Sequence, residues 1–247
     1  LRQEVEKIYP GFGHSAVQTE EYTQWVIEDN FASEFPDLTQ VGVVITKNIE
    51  PYEETKIRIL NGGHTSLAYI GALSGYKTFD QVMSDPSHRE HFKQLQSEEI
   101  IPSLDIDLPF DVYEYIEKVQ ERFSNATNLD VLDRICMDGF TKFHTFIVPS
   151  LRNCLEQGKR PTYIYKSIAA WYIYARRFAR GCTKIKYQEP NWTLLEPLLR
   201  DGMVELFVSN ERLWGDIPRK YVTFTRDLKT ILMSQTYERE IDLLGED

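Results

Sequence analysis

Apolar residues recur at spacings of three and four along most of the chain, and alternating runs are few. That pattern predicts a mainly α fold with little sheet. The spacing predicts a first helix over residues 20–31, capped by Thr19, with Trp25, Val26 and Phe31 on an inward face. Residues 41–46 form a β-branched run and are the best strand candidate. Pro51 suits a first helical position, and Glu53 and Glu54 suit the positive end of a helix dipole, so a long helix is expected from there to about Ser74, stopped by Gly75. Shorter helices are expected at 78–83, 88–98, 110–122, 128–137, 141–157, 163–180 and 194–206, with Pro102, Pro109, Pro190 and Pro218 at the joints. The last thirty residues are less informative. No repeat of solenoid length and no low-complexity linker divides the chain.

The 247 residues, 42% of them hydrophobic, are enough for a substantial core. No apolar stretch is long enough to span a bilayer. The formal charge of −10 argues against a nucleic-acid partner, because phosphate binding relies on clustered Lys and Arg. Three widely spaced cysteines, Cys136, Cys154 and Cys182, suit reduced thiols and a cytoplasmic setting. Of the five histidines only His88 and His91 sit close together, and a solvated helix face accounts for them better than a metal site. The chain opens on Leu1 and a polar run with no apolar signal core, so its true start is expected to lie upstream. Trp171 and the tyrosines at 163, 165, 172 and 174, together with Trp25, are expected in the core. The basic group Arg176, Arg177 and Arg180 is expected at a helix C-terminus.

A dinucleotide site needs a strand, a glycine-rich turn and a helix N-terminus that meets the pyrophosphate. Gly11-Phe12-Gly13 is the one G-x-G, and it follows a charged segment and a proline instead of an apolar strand. The chemistry concentrates in Lys56-Ile57-Arg58-Ile59-Leu60-Asn61-Gly62-Gly63-His64, inside the long predicted helix. At about 100° per residue, His64 lies roughly 80° and Asn61 roughly 140° around the axis from Lys56, so the three share one broad face. A lysine can take the proton of an alcohol while Asn and His hydrogen-bond the same oxygen, which is what oxidation of a secondary alcohol needs. The hydride must leave to a cofactor. The same three residue types also occur together as surface or satisfied core groups. Gly62-Gly63 costs about 1 kcal/mol per glycine relative to Ala in a helix interior, so close packing of a backbone or a substrate should compensate.

The words around this segment favour the functional reading. Tyr22 to Asp29, Pro51-Tyr52-Glu53, Lys56 to His64, Leu67 to Gly71, Gly75-Tyr76, Asp85-Pro86, Arg122 to Asn125, and Asp138-Gly139 with Lys142-Phe143 occur in the order found in the long-chain mannitol dehydrogenase family. The chain resembles that family's C-terminal domain over roughly residues 20–215. The resemblance implies a multi-helix substrate domain like that of 6-phosphogluconate dehydrogenase-like enzymes, filling residues 1–247. Residues 1–19 would be the linker from an N-terminal Rossmann domain that lies outside this chain. It implies a metal-independent, NAD- or NADP-dependent interconversion of a polyol such as mannitol and its ketose, with that Rossmann domain as partner and an isolated chain that is inactive. Lys56 matches the family's general acid/base, Asn61 and His64 its oxygen-polarising and substrate-orienting residues, and Arg134 and Lys142 residues lining the polyol site. Lys142 would also help lower the pKa of Lys56. The bland alternatives are an ion pair of Arg134 with Asp130, Asp133 or Asp138, and a solvated helix start for Lys142. Reduction of a hexuronate, fructuronate or tagaturonate, on the same core is the alternative reaction. A non-catalytic helical interaction module is the alternative of a different class.

Overall fold

The computed structural model describes residues 1–17, 19–104, 106–127, 130–182 and 184–234. The chain divides into two compact units, Leu1–Ile49 and Glu50–Asp247, at a point no composition shift marks. The described residues are mainly helical, with two short strands, so the expected fold class holds.

In the first unit, α1 (Arg2–Ile8) precedes a turn in which the N–H groups of Gly11 and Gly13 each donate to the Glu6 carboxylate at 2.8 Å. The helix expected over 20–31 does not form. Instead β1 (Val26–Glu28) pairs in parallel with β2 (Val44–Thr46), register Val26 to Val44. β-branched Val26 and Ile27 meet Val44 and Ile45 there, and cross-strand packing overrides the helical spacing. Trp25, expected on an inward face, is 54% exposed. The strand candidate 41–46 is shorter than expected, because Thr39–Val41 forms a 3₁₀ turn ended by Gly42 at φ 87°.

The second unit opens on α2 (Glu50–Thr55), which runs without a break into α3 (Gly62–Leu73) and stops before Gly75 at φ 83°. Residues 56–61 between them are a π turn. Next come α4 (Phe79–Ser84), started by a capping box of Thr78 and Gln81, and α5 (Pro86–Gln94), capped by Asp85. A second π turn, Leu95–Ile100, extends α5 into a 3₁₀ turn, Ile101–Ser103. The chain continues through α6 (Val112–Phe123), α7 (Leu132–Ile135) and α8 (Gly139–Lys142). A third π turn, Phe143–Ile147, leads into α9 (Val148–Glu156) and then α10 (Thr162–Ala179). The helix expected over 128–137 is reduced to α7, and residues 128 and 129 lie outside the described ones.

The helix expected over 194–206 is broken into α11 (Trp192–Leu195), a 3₁₀ turn at Glu196–Leu199 and α12 (Val204–Val208). Pro197 lacks the N–H an α-helix needs there, and Gly202 turns the chain at φ 77°. Three further helices, α13 (Glu211–Trp214), α14 (Ile217–Lys220) and α15 (Val222–Met233), follow among the described residues.

α3 and α10 pack together in the core, where Leu67, Ala68 and Tyr69 of one and Ile168, Ala169 and Trp171 of the other are fully buried. Glu99 caps α10, its carboxylate accepting from the N–H groups of Tyr163 and Ile164 at 2.8 Å each. At the far end Arg176 and Arg180 both bind Asp201. His88 and His91 are not on a solvated face. His88 lies 3.0 Å from the Ser74 and Ser87 hydroxyls, and the ring of His91 packs edge-on to Tyr163. Burial lowers the pKa of both, that of His91 to about 4. Among the described residues no helix is long and apolar enough to cross a membrane.

Candidate active site

The second and third π turns both pack against the first, which carries the chemistry read from the sequence. Its bonds close five residues back, as from Gly62 N–H to Ile57 O. Holding one extra residue in the turn withdraws about 100° of rotation from everything beyond it. Asn61 therefore moves from roughly 140° to roughly 40° from Lys56, and His64 from roughly 80° to about 20° on the other side. A face that a regular α-helix would spread over about 140° shrinks to about 60°. Lys56 is exposed there, and Asn61 and His64 are partly buried.

Gly62 and Gly63 are where the neighbouring turns approach. A Cβ on Gly62 would lie 3.1 Å from Phe146 O of the third π turn. One on Gly63 would lie 2.5 Å from the Phe92 ring and 2.7 Å from Gln96 Nε2. The helix-propensity cost of two glycines is thus offset by backbone-close packing, as the sequence required.

His64 is held between aromatic rings, edge-on to Phe79 at 4.3 Å and stacked on Phe123 at 4.9 Å. Burial holds its pKa down to about 4, against the pull of Asp130, with Arg134 and Lys142 lowering it further. The imidazole is therefore neutral at pH 7. Its Nε2 lies 3.9 Å from Asp130 Oδ2, too long for a hydrogen bond, and among the described residues this buried nitrogen has no hydrogen-bond partner. Asp130 is brought there by backbone pairing: its carbonyl accepts from Phe79 N–H at 2.9 Å, and Leu132 N–H donates to Lys77 O at 2.9 Å.

Arg134 forms an ion pair with the same Asp130, the local contact weighed from the sequence, and its side chain is 67% exposed. Lys142 is not a solvated helix start. Its Nζ donates to Ile135 O at 2.7 Å, tying α8 to α7, and burial lowers its pKa. The charges that bear on it belong to Cys136, Asp138, Arg134 and Glu189.

α8 is itself anchored from behind. A Cβ on Gly139 would strike Trp171 Nε1 at 2.3 Å and the hydroxyls of Tyr187 and Tyr69 at 2.6 Å. Trp171 donates to Tyr187 OH at 2.9 Å, Tyr187 donates to Glu189 at 2.7 Å, and the same Glu189 oxygen accepts from Phe140 N–H at 2.9 Å. Asp138, just before α8, has φ 53° and is the one positive-φ residue other than glycine among the described residues. The structure thus brings Asp130 beside both His64 and Arg134, and the charges of Arg134 and Lys142 bear on His64, while the π turn by its geometry turns Lys56 and Asn61 toward the side of the helix that carries His64. Sequence reasoning missed the part Asp130 plays beside His64. The signal available for it was only its position four residues before Arg134. Among the described residues no group of three or more His, Cys, Asp or Glu side chains is placed to hold a metal ion.

Residues 48–232 match the family model described as the mannitol dehydrogenase C-terminal domain. Mannitol dehydrogenase 2 of Saccharomyces cerevisiae is 38% identical over 162 residues, 64% of this chain and 32% of the relative. Mannitol 2-dehydrogenase of Neosartorya fischeri is 33% identical over 221 residues, 87% of this chain and 44% of the relative. The chain therefore spans less than half the length of these curated relatives. A solved mannitol 2-dehydrogenase of Pseudomonas fluorescens, in ternary complex with NAD and D-mannitol, superposes with a TM-score of 0.76 at 27% identity, covering 90% of this chain and 46% of that one. A model match that takes in α2 through most of α15, with every residue of the site inside it, makes the chain a member of the mannitol dehydrogenase C-terminal domain family.

Proposed function

We propose that this chain is the substrate-binding and acid–base part of a dehydrogenase interconverting a polyol and its ketose with NAD or NADP. The observation that carries the reading is the π turn that draws Lys56, Asn61 and His64 onto one narrow face inside a domain of this family. Lys56 takes the proton of the substrate hydroxyl during oxidation and returns it during reduction. Asn61 and neutral His64 hold the same oxygen, His64 without adding a charge to it. Arg134 and Lys142 bind hydroxyls further along the substrate. Proton transfer is assigned to Lys56 and not to a metal-bound water.

The G-x-G loop of this chain does not fit a pyrophosphate: it is closed on the Glu6 carboxylate, so the amides that would meet one already have a partner. A nucleotide-binding domain outside the chain supplies the hydride acceptor and is the partner this reading requires. The free thiols Cys136, Cys154 and Cys182 suit the reducing cytoplasm.

The test is turnover of the two-domain enzyme on mannitol, sorbitol, arabinitol, fructuronate and tagaturonate with each dinucleotide. Polyol oxidation is expected. Activity confined to the uronates moves the assignment to hexuronate reduction, and inactivity on all five favours a non-catalytic module.

A further inference from the structure

We infer that Arg58 and Gln96 are positioning residues, which hold the π turn open and thereby keep Lys56 and Asn61 aligned. A π turn has no strong preference of its own and persists where tertiary contacts fix it. Arg58 lies inside this one and is buried. Its Nε donates to Ser150 Oγ at 2.8 Å on α9, and its Nη2 to Ser103 O at 3.0 Å and Ser103 Oγ at 2.8 Å, just after the second π turn. Its Nη1 reaches back to Glu54 at 3.1 Å on α2. One guanidinium thus ties the turn to two segments distant in sequence as well as to the preceding turn of α2, and Asn153 reinforces the anchor by donating to Ser103 O at 2.8 Å. A planar fork of donors suits this where a lysine would serve one direction.

Gln96 grips the other side. It belongs to the second π turn, is fully buried, and its Nε2 donates to Ile59 O at 3.2 Å within the first. Among the described residues its Oε1 has no hydrogen-bond partner. A buried amide oxygen left unpaired costs folding free energy. The return for that cost is the donor aimed at the turn. Neither Arg58 nor Gln96 touches the reacting atoms, and both act through the backbone that carries Lys56 and Asn61.

The inference rests on the role proposed for Lys56, and the experiment separates the two. In the two-domain enzyme Lys56→Ala is measured first, and near-normal turnover removes both. With that variant inactive, Arg58→Met and Gln96→Met are compared with Leu232→Ala, a core truncation on α15. The positioning role predicts that kcat per folded molecule falls on the order of 100-fold in the first two, since small misplacements of reacting groups cost that much. The KM for the dinucleotide stays unchanged, Leu232→Ala keeps its kcat, and Arg58→Lys recovers part of the rate. In the same enzyme, hydrogen exchange at residues 60–62 speeds up in Arg58→Met and Gln96→Met but not in Leu232→Ala. A kcat that stays normal once unfolded protein is discounted, or exchange at the turn no faster than in Leu232→Ala, overturns the inference.

Discussion

The two long helical stretches that meet in the core are built to opposite ends. α10 runs 18 residues as regular α-helix, with Ile164, Ile168, Trp171 and Ala175 buried at helical spacing. The stretch through α2 and α3 packs against it, yet carries two adjacent glycines, a buried arginine and a π turn. A regular helix is sufficient for filling a core. The irregular one is explained only by what it must present at its surface, since each departure from regularity costs stability that packing then restores.

That contrast can be broken most sharply by charge removal. Lys56→Ala in the two-domain enzyme is expected to lower kcat by about 10²- to 10⁴-fold with the dinucleotide KM unchanged, in line with loss of a general acid/base. Lys166→Ala, on an exposed position of α10, is expected to leave both unchanged. Steady-state kinetics decide, and equal rates for the two variants erase the functional half of the contrast.

The packing half is read from thermal or urea unfolding. Gly63→Ala forces a methyl against Phe92 and Gln96 and should destabilise by about 1–3 kcal/mol, although Ala is the better helix former. In α10 the reverse change, Ala170→Gly, should cost about 1 kcal/mol through backbone entropy. A neutral or stabilising Gly63→Ala contradicts the close approach at that turn.

Protonation separates the stretches by sign. The folded pKa of His64, about 4, is below its ordinary 6.5, so the unfolded chain takes the proton first and stability is lost as pH falls through that window. Burial of Glu99, the cap of α10, raises its pKa from 4.5 to about 7, so its contribution is largest below pH 4.5 and is lost as pH rises through 7. Between pH 7.5 and pH 5 each effect amounts to about 2 kcal/mol. His64→Asn should therefore flatten the acid loss of stability, and Glu99→Gln should steepen it. Urea midpoints at the two pH values check this, and slopes of the same sign refute it. The smallest stability effect belongs to Arg134→Ala, whose exposed ion pair is worth up to about 1 kcal/mol, while the polyol KM should rise.

The regular helix was legible and the irregular one only in part. The spacing of three and four that marks α10 comes from its own residues, and the structure places that helix within a residue of its predicted limits. A π turn has no such local signature. It arises from partners such as Ser103 and Ser150, far along the chain, and Gly62-Gly63 was its one visible trace. The same distance in sequence explains the helix expected over 20–31, because the pairing of Val26 with Val44 is not written in either segment alone. The family words placed Lys56, Asn61, His64, Arg134 and Lys142 within one unit, but not Asp130 between His64 and Arg134. α15 was readable and overlooked: Phe224, Leu228 and Leu232 repeat every four residues, and all are buried.

A turn that holds one residue more than its neighbours also has a genetic meaning. Removing a single codon from residues 56–61 would restore a regular helix without shortening any loop, and would turn Lys56 by about 100° relative to α3. The domain could keep its core and lose its chemistry in one in-frame deletion.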